Sequence, residues 1–492
     1  MMGALIRKVL LLVAALTPAL LTGSAPAQNR GFPAGERTAS YRFAPLGEIA
    51  VYRPVGEPRG VVLLLSDHDG WTRTMARMGE ELARHDLLVA GVSTPALQRA
   101  MEQAKRRCAN PDYPLIDLSR DLQHAMRVTR YTKPLLMGVG AGATLAYAGI
   151  AQWPNGGLQA ALSINPVASL DSAKPWCAAS GFTAWRISPH SHRPAWKFGP
   201  SRRVTVPWVV IQQEPAATID SGALLRFVSV VPHASLIRLP DSGATEGGAA
   251  HLRARAVAAI TALLPPRLPH EASGGTTIPD MPLTIVPTAG VARSGHEANR
   301  MAILYSGDGG WVGIDRDLTA EIAAAGIPVV GVDSLSYFWI ARSPKGAGRD
   351  LAQLIRAFGQ RWNKPRVILI GYSFGADALP HMIAALDPET RSRIDSVSLL
   401  GLGARAQFQF HMASWLDFDS SDSLPTLPAI ARLRGLTLRC VRGDLEKDSA
   451  CPSIPSWLAQ QYVVPGGHHF GRNAPLLAHV VLGERRPGRV AR

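Results

Sequence analysis

The chain has 492 residues, of which 47% are hydrophobic and 18% charged, and its net charge is +15. This composition is typical of a globular protein and leaves room for two or three domains. The basic residues are dispersed, with one notable cluster in the tail at Arg485, Arg486 and Arg489. The charge therefore favours attraction to anionic membrane surfaces, and no specific nucleic-acid-binding module is expected.

The first 27 residues predict an export signal. Arg7 and Lys8 precede an apolar run over 9–21, and Ala25-Pro26-Ala27 has the A-x-A form of a cleavage site. The run is short for a bilayer span and is interrupted by Pro18, so we expect cleavage and release into the periplasm. A retained N-terminal anchor is the alternative. Loss of Arg7 and Lys8 would lower the net charge from +15 to +13.

The four cysteines agree with export. We predict one disulfide in each half of the chain, Cys108 with Cys177 and Cys440 with Cys451, as is usual in an oxidising compartment. No C-x-x-C pair and no His/Cys cluster with metal-ligand spacing occurs in the sequence, so we expect neither a metal site nor another cofactor.

The first regular elements come after a polar segment, residues 28–58, in which a short strand is predicted at 49–53. The continuous apolar run Val61–Leu65 predicts a buried strand. An amphipathic helix to His85 and a strand over Leu87–Val92 follow. The chain thus begins as an alternation of strands and helices.

The same order of elements returns after residue 300. A strand over 301–305, a helix to Ala325 and a strand over 328–332 repeat the first set at nearly the same spacing. Two loop residues also correspond: Ser66 with Ser306, and Trp71 with Trp311. The chain therefore holds two copies of one α/β unit.

The repeat extends to a Gly-rich turn between a strand and a helix. In the second copy this turn reads Gly371-Tyr-Ser-Phe-Gly375, the nucleophile elbow G-x-S-x-G in its strand–turn–helix context, which predicts Ser373 as a nucleophile. The first copy has Gly140 at this position and so lacks the hydroxyl. Its Asp67, His68 and Asp69 are interpreted as ordinary loop residues.

Alternating strands and helices predict a mostly parallel sheet with helices on both faces. With the elbow, the predicted fold class is α/β, two tandem α/β-hydrolase-like domains of which the first lacks the nucleophile. The predicted boundaries are a signal peptide (1–27), a degenerate domain (28–264), a Pro/Gly-rich linker (265–282) and a catalytic domain (283–492).

A serine nucleophile needs a base and an acid, which in this fold follow it in the order Ser, Asp or Glu, His. After a strand predicted over 436–441, Glu446 and Asp448 are equal candidates for the acid, and Asp444 is a weaker one. After a further strand at 462–464, two histidines follow a Gly-Gly turn. The spacing favours His469 over His468 as the base.

The loop Ser306–Trp311 is the expected oxyanion loop, because its glycines let the backbone approach a substrate carbonyl. We predict an oxyanion hole from the N–H of Phe374 and those of Gly307 and Gly309. Three residues are predicted to bind substrate: Asp308, Trp311 and Asp417. The last lies in a long segment, 403–428, whose aromatic residues form either a cap over the site or part of the core.

These motifs resemble the AcvB/VirJ family of exported bacterial proteins. The resemblance covers roughly residues 280–485, and the degenerate copy looks like the N-terminal half of the longer AcvB type. It is carried by four segments: Ser306–Trp311, Gly371–Gly375, Glu446–Cys451 and Pro465–Phe470.

The resemblance implies a periplasmic serine hydrolase that removes the aminoacyl group of aminoacylated phosphatidylglycerol, chiefly the lysyl form, and a link to virulence and type IV secretion. Ser373 would be its nucleophile. The expected partners are the aminoacylated phospholipid at the membrane surface and secretion-system proteins, with no specific nucleic acid. The alternatives are a general exported esterase and a periplasmic adaptor of a secretion system.

Overall fold

The computed structural model describes residues 38–152, 157–179, 181–188, 192–214, 219–240, 245–264, 281–288, 295–410 and 423–484. The predicted signal peptide and most of the predicted linker lie outside these residues. Both remain predictions, and so do the domain boundaries.

The first half is built on apolar strands that are buried along their whole length, such as Gly60–Leu65 and Leu87–Val92. Its strands are β1 (Thr38–Phe43), β2 (Gly47–Tyr52), β3 (Gly60–Leu65), β4 (Leu87–Val92), β5 (Leu135–Val139), β6 (Ala160–Ile164), β7 (Leu170–Asp171), β8 (Ala184–Arg186), β9 (Ala195–Phe198), β10 (Trp208–Glu214) and β11 (Ala234–Pro240). Its helices are α1 (Arg73–Arg84), α2 (Thr94–Gln103), α3 (Asp112–Ala125), α4 (Ala141–Gln152), α5 (Ser221–Val230) and α6 (Glu246–Ala262).

The second half repeats this alternation. Its strands are β12 (Leu283–Val286), β13 (Arg300–Tyr305), β14 (Val329–Val332), β15 (Arg366–Tyr372), β16 (Ile394–Leu400), β17 (Arg405–Ala406), β18 (Leu424–Pro425), β19 (Leu438–Gly443) and β20 (Gln460–Val464). Its helices are α7 (Gly295–Ala298), α8 (Ile314–Ala324), α9 (Ser334–Tyr337), α10 (Pro344–Arg361), α11 (Phe374–Ala384), α12 (Pro388–Ser392), α13 (Thr426–Ala431) and α14 (Ala474–Leu482).

Each half forms one large sheet, and apart from the additional edge strand β1 in the first, the two sheets have the same strand order. Among the described residues the first sheet runs β1-β2-β4-β3-β5-β6-β10-β11 and the second runs β12-β14-β13-β15-β16-β19-β20. The pairings from β4 to β11 and from β14 to β20 are parallel, whereas β1, β2 and β12 pair antiparallel at one edge. The predicted fold class, two tandem α/β-hydrolase-like domains, is confirmed.

Helices cover both faces of each sheet, which explains why the central strands are apolar on both sides. In β3, Val61 and Leu63 belong to the core beneath α2–α5, whereas Val62 and Leu64 belong to the core beneath α1 and α6. In the second domain α10, α11 and α13 cover one face, and α8 and α14 cover the other. Loops that leave the carboxyl ends of the parallel strands therefore meet at one edge, where sites of this architecture form.

The loop after the first parallel strand has the same internal contacts in both domains. The hydroxyl of Ser66 accepts the N–H of Thr94 at 3.0 Å, and that of Ser306 accepts the N–H of Ser334 at 2.9 Å. The ring of Trp71 packs on Gly91, and that of Trp311 packs on Gly331, where an added Cβ would lie 2.2 Å and 2.1 Å from the ring. The repeated serine and tryptophan thus tie this loop to the next strand.

Both predicted disulfides are confirmed: Cys108 is bonded to Cys177, and Cys440 to Cys451. In the part of the chain that the structure describes, every helix is too short or too polar to cross a membrane.

Candidate active site

Ser373 lies in a sharp turn between β15 and α11. Its backbone has φ 51° and ψ −118°, a strained conformation for a residue with a side chain, and one that marks functional sites. An added Cβ would lie 2.5 Å from the carbonyl oxygen of Gly375 if placed on Gly371, and 2.3 Å from that of Tyr305 if placed on Gly375. The two glycines of the motif are therefore required for strand and helix to pass this closely.

His468 contacts the serine. Its Nε2 lies 2.8 Å from the Ser373 Oγ, and its Nδ1 lies 2.5 Å from the Glu446 Oε1. The carboxylate fixes a proton on Nδ1, which leaves Nε2 free to accept the serine proton. Space for the ring comes from Gly401, where an added Cβ would lie 2.8 Å from the His468 Cε1.

Glu446 is the acid that the structure brings to this histidine. Its side chain is 9% exposed, and its second oxygen accepts the Gly443 N–H at 3.1 Å. Burial alone would raise the pKa of Glu446, but the hydrogen bonds from His468 and Gly443 outweigh it and hold the pKa below its usual value. Glu446 is therefore ionised at neutral pH and orients the base.

The sequence-based preference for His469 is wrong. The turn at Gly466 and Gly467 directs the first of the two histidines at the serine, and the Nδ1 of His469 instead lies 2.6 Å from the Tyr372 hydroxyl. Burial, and then the charge of His468, lower the pKa of His469. A neutral His469 thus accepts a hydrogen bond from Tyr372, whose own pKa is raised chiefly by burial.

Neither of the other two acid candidates, Asp448 and Asp444, is the partner of His468. Asp448 is exposed to solvent. Asp444 accepts the N–H of Gly466 at 2.8 Å and so stabilises the turn that carries the histidines. Glu446 differs from both because it lies on the inner side of its loop, facing the base.

The oxyanion loop (Ser306–Trp311) passes beside the nucleophile. Gly307 is buried there, and an added Cβ would lie 3.4 Å from the Ser373 Cβ. The Gly307 carbonyl accepts the N–H of Gly310 at 3.1 Å, which closes a tight turn. Gly309 does not border the serine in this way: within 4 Å an added Cβ there would meet Val312, at 3.6 Å, and not Ser373. Phe374 begins α11, so its N–H has no partner within the helix and is available beside Ser373.

Further carboxylates lie near the serine. Asp308 is partly exposed in the oxyanion loop, and Asp377 lies one helical turn after Ser373, where it accepts the Gly403 N–H at 2.7 Å. Burial raises the pKa of Asp377 well above its usual range, and the negative charges of Asp308 and Glu446 raise it further. The site is therefore electronegative. Asp377 was missed in the sequence; its only signal was a carboxylate in the first turn of an otherwise apolar helix.

The other two residues predicted to bind substrate are Trp311 and Asp417. The Trp311 ring is 9% exposed and packs on Gly331, so it holds the loop rather than a ligand, which corrects that prediction. Asp417 lies outside the described residues. Of the aromatic residues in the predicted cap, Phe408 and Phe410 are 8% and 3% exposed and belong to buried clusters.

The first domain has the elbow backbone without its chemistry. Gly140 has φ 56°, close to the 51° of Ser373. Asp67, at the position of Gly307, projects its carboxylate over Gly140 and accepts the Ala141 N–H at 2.8 Å. That N–H corresponds to the one of Phe374 in the oxyanion hole. The interpretation of Asp67 as an ordinary loop residue is therefore wrong, because its carboxylate fills the vestigial site.

Taken together, Ser373, His468 and Glu446 have the geometry of a nucleophile, a base and an orienting acid beside two backbone donors. This arrangement is competent for acyl transfer from an ester or amide to water.

Residues 299–487 match the family model described as "Bacterial virulence protein (VirJ)". No curated protein matches the chain.

Among solved structures, the chain is similar to an α/β serine hydrolase without a lid from Xanthomonas campestris, at 16% identity and a TM-score of 0.33 over 49% of this chain and 100% of that one. It is also similar to Est1E from Butyrivibrio proteoclasticus (9%, TM-score 0.31, 46% and 99%) and to a dienelactone hydrolase from Anabaena variabilis (13%, TM-score 0.31, 47% and 100%). The fold assignment rests on the strand order and the elbow of this chain itself.

Proposed function

Residues 299–487 belong to the VirJ family of bacterial virulence proteins, and on this premise we propose that the protein is an exported serine hydrolase of aminoacylated phosphatidylglycerol. It would cleave the aminoacyl ester, chiefly of the lysyl form, to phosphatidylglycerol and lysine. The observation that carries the proposal is the chain of contacts from Ser373 through His468 to Glu446.

In the proposed reaction the Ser373 hydroxyl attacks the aminoacyl carbonyl carbon while His468 takes its proton. The N–H groups of Phe374 and Gly307 stabilise the oxyanion of the tetrahedral intermediate. Protonated His468 then donates to the departing phosphatidylglycerol oxygen, which leaves an aminoacyl ester on Ser373. Water, deprotonated by His468, attacks that ester and releases the amino acid.

The electronegative site supports a cationic acyl group. A lysyl ester carries an α-amino group beside the reacting carbonyl and an ε-ammonium at the end of its side chain, and Asp308 follows Gly307 in the oxyanion loop that borders Ser373. Opposite charges in a partly buried site attract strongly because solvent screens them little. Asp308 is therefore proposed to favour lysyl over uncharged acyl groups, whereas Asp377, whose pKa is raised well above its usual range by burial, is not the source of this charge.

The proposed location is the periplasm, at the membrane surface. Two disulfides are typical of proteins from oxidising compartments, and the net charge of +15 favours approach to anionic lipid. The predicted signal peptide agrees with this location. Secretion-system proteins remain proposed partners.

The test uses residues 28–492 with lysyl-phosphatidylglycerol in mixed micelles, and free lysine is followed with time. Alanyl-phosphatidylglycerol and a p-nitrophenyl ester serve as comparison substrates, and Ser373→Ala as the control protein. We expect lysine release that is abolished in Ser373→Ala, and kcat/KM at least ten times higher for the lysyl than for the alanyl lipid, about 1.4 kcal/mol.

Each other outcome points to one alternative. Cleavage of the p-nitrophenyl ester without lysine release would leave a general exported esterase. Inactivity on every substrate would favour an adaptor that retains a hydrolase scaffold.

A further inference from the structure

The first domain contacts the rim of the active site in the second. Its contacting residues come from the end of α3 and the segment 126–134 before β5, at the amino edge of its sheet. The second domain contributes Trp311 after β13, Ser336 and Trp339 after β14, and Phe410 after β16. All of these follow carboxyl ends of strands, on the edge that carries Ser373.

Trp339 anchors this interface. Its side chain is 2% exposed, its Nε1 donates to the Val128 carbonyl at 2.8 Å, and its ring lies 5.0 Å from that of Tyr131. The same ring stacks on Phe410 at 5.8 Å. Burial of aromatic surface on both sides, together with a satisfied indole N–H, makes a stable contact.

Lys133 makes the contact nearest to the chemistry. Its Nζ donates to the Trp311 carbonyl at 3.2 Å, at the end of the oxyanion loop. The Trp311 N–H donates to the Asp333 carboxylate at 3.2 Å. Both backbone polar groups of Trp311 are thus held, the N–H by the second domain and the carbonyl by the first. Burial lowers the pKa of Lys133, and the charge of Asp333 opposes that effect.

The loop between these fixed points is short. Its first residue, Ser306, is tied to Ser334, and the N–H of Gly310 is bound to the Gly307 carbonyl. The position of the Gly307 N–H relative to Ser373 therefore depends on where Trp311 is held. Displacements of a few tenths of an ångström matter for an oxyanion donor, because its hydrogen bond weakens steeply with poor geometry.

We propose that Lys133 of the non-catalytic domain is a positioning residue for the oxyanion loop, so that the first domain is a built-in activator of the second. This inference rests on the proposed hydrolase function. This role of the first domain does not use its vestigial site. That site is filled by Asp67 and lies at the carboxyl edge of the first sheet, whereas Lys133 lies at the amino edge.

The experiment compares Lys133→Met with Lys174→Met in residues 28–492. Methionine keeps the apolar stem of lysine and removes its donor. Lys174 is a matched control because its Nζ also donates to backbone carbonyls, those of Met101 and Arg106, but inside the first domain. The measurements are kcat and KM for a p-nitrophenyl ester, the inhibition constant of an alkylboronate that mimics the tetrahedral intermediate, and Tm.

We expect Lys133→Met to lower kcat and boronate affinity about tenfold each, with KM changed less than about twofold. Lys174→Met should lower Tm and leave kcat and boronate affinity at the wild-type values. If Lys133→Met does not fold, Lys133→Gln, which keeps a shorter N–H donor, should show a smaller fall in the same two quantities.

Wild-type kcat and boronate affinity in the Lys133 variant would overturn the inference and leave the proposed function intact. A loss that follows Tm equally in the Lys133 and Lys174 variants would also overturn it, since the role would then be structural. If the wild-type protein cleaves neither the ester nor lysyl-phosphatidylglycerol, the proposed function fails, and the inference fails with it.

Discussion

The carboxylate of Asp67 occupies the space into which a side chain at Gly140 would project: an added Cβ on Gly140 would lie 2.1 Å from the Asp67 Cγ. The second domain has the reverse pairing, with Gly307 at the position of Asp67 and Ser373 at the position of Gly140. The space beside the elbow therefore holds either the Asp67 carboxylate, as in the first domain, or the nucleophile side chain, as in the second, but not both.

Gly140→Ser should destabilise the protein, because the new side chain collides with Asp67. We expect a loss of about 1–3 kcal/mol in urea unfolding, typical of overpacking. Part of this loss is backbone strain at a φ of 56°, which the fold tolerates at Ser373 with a φ of 51°. Adding Asp67→Gly should recover part of the loss, with a coupling of at least about 1 kcal/mol. Additive effects of the two substitutions would contradict the steric account.

The adjacent histidines offer a matched pair of variants. His468→Gln removes the base and should lower kcat by about 10⁴-fold or more. His469→Gln loses only the bond to Tyr372 and should lower kcat by about tenfold or less. Ester hydrolysis under saturating substrate measures both. A larger effect at His469 than at His468 would mean that the roles are exchanged.

The disulfide Cys440–Cys451 encloses Glu446 within its loop. Replacing both cysteines by alanine should lower the free energy of unfolding by about 2–3 kcal/mol and also reduce kcat, because the acid loop loses its closure. The corresponding Cys108→Ala/Cys177→Ala protein should be destabilised with kcat unchanged, since that bond lies in the first domain. Unchanged kcat in both proteins would show that the bond near Glu446 does not support the triad.

Glu446 also gives a pH prediction. Its folded pKa lies below the reference value of 4.5, so its ionised form stabilises the fold. That contribution is fully present above the unfolded pKa of about 4.5 and is lost as the pH falls through the lower folded pKa. The Tm difference between wild type and Glu446→Gln should therefore be largest near neutrality and shrink below about pH 4. Asp448→Asn, on the exposed side of the loop, serves as the control variant. A constant Glu446 difference down to pH 3 would contradict the assignment.

Much of the fold is predictable because the chain repeats itself. Matching spacing is seen for the apolar runs of β3, β4 and β13 and for the loop residues Ser306 and Trp311. The elements predicted in one copy therefore support those predicted in the other. The edge strands β1 and β12 are not predicted. They are short, and their buried and exposed residues are mixed, so their sequences lack a clear period.

The site residues are predictable only where the local amino-acid sequence determines the backbone geometry. Ser373 follows from its elbow, because only that turn requires glycine on both sides. The choice between His468 and His469 depends on how a Gly-Gly turn is oriented against β15, which local sequence does not encode. Gly401 is missed for the same reason: its role is to leave room for His468, which lies 67 positions along the chain.

The most direct measurement of the central claim is the site of covalent modification by a fluorophosphonate, which reports an activated serine. Tandem mass spectrometry of the wild-type protein should find one phosphonylated residue, Ser373, and the rate of modification should fall at least about 10³-fold in His468→Gln but not in His469→Gln. An unmodified Ser373, or equal rates in wild type and His468→Gln, would contradict a catalytic triad of Ser373, His468 and Glu446.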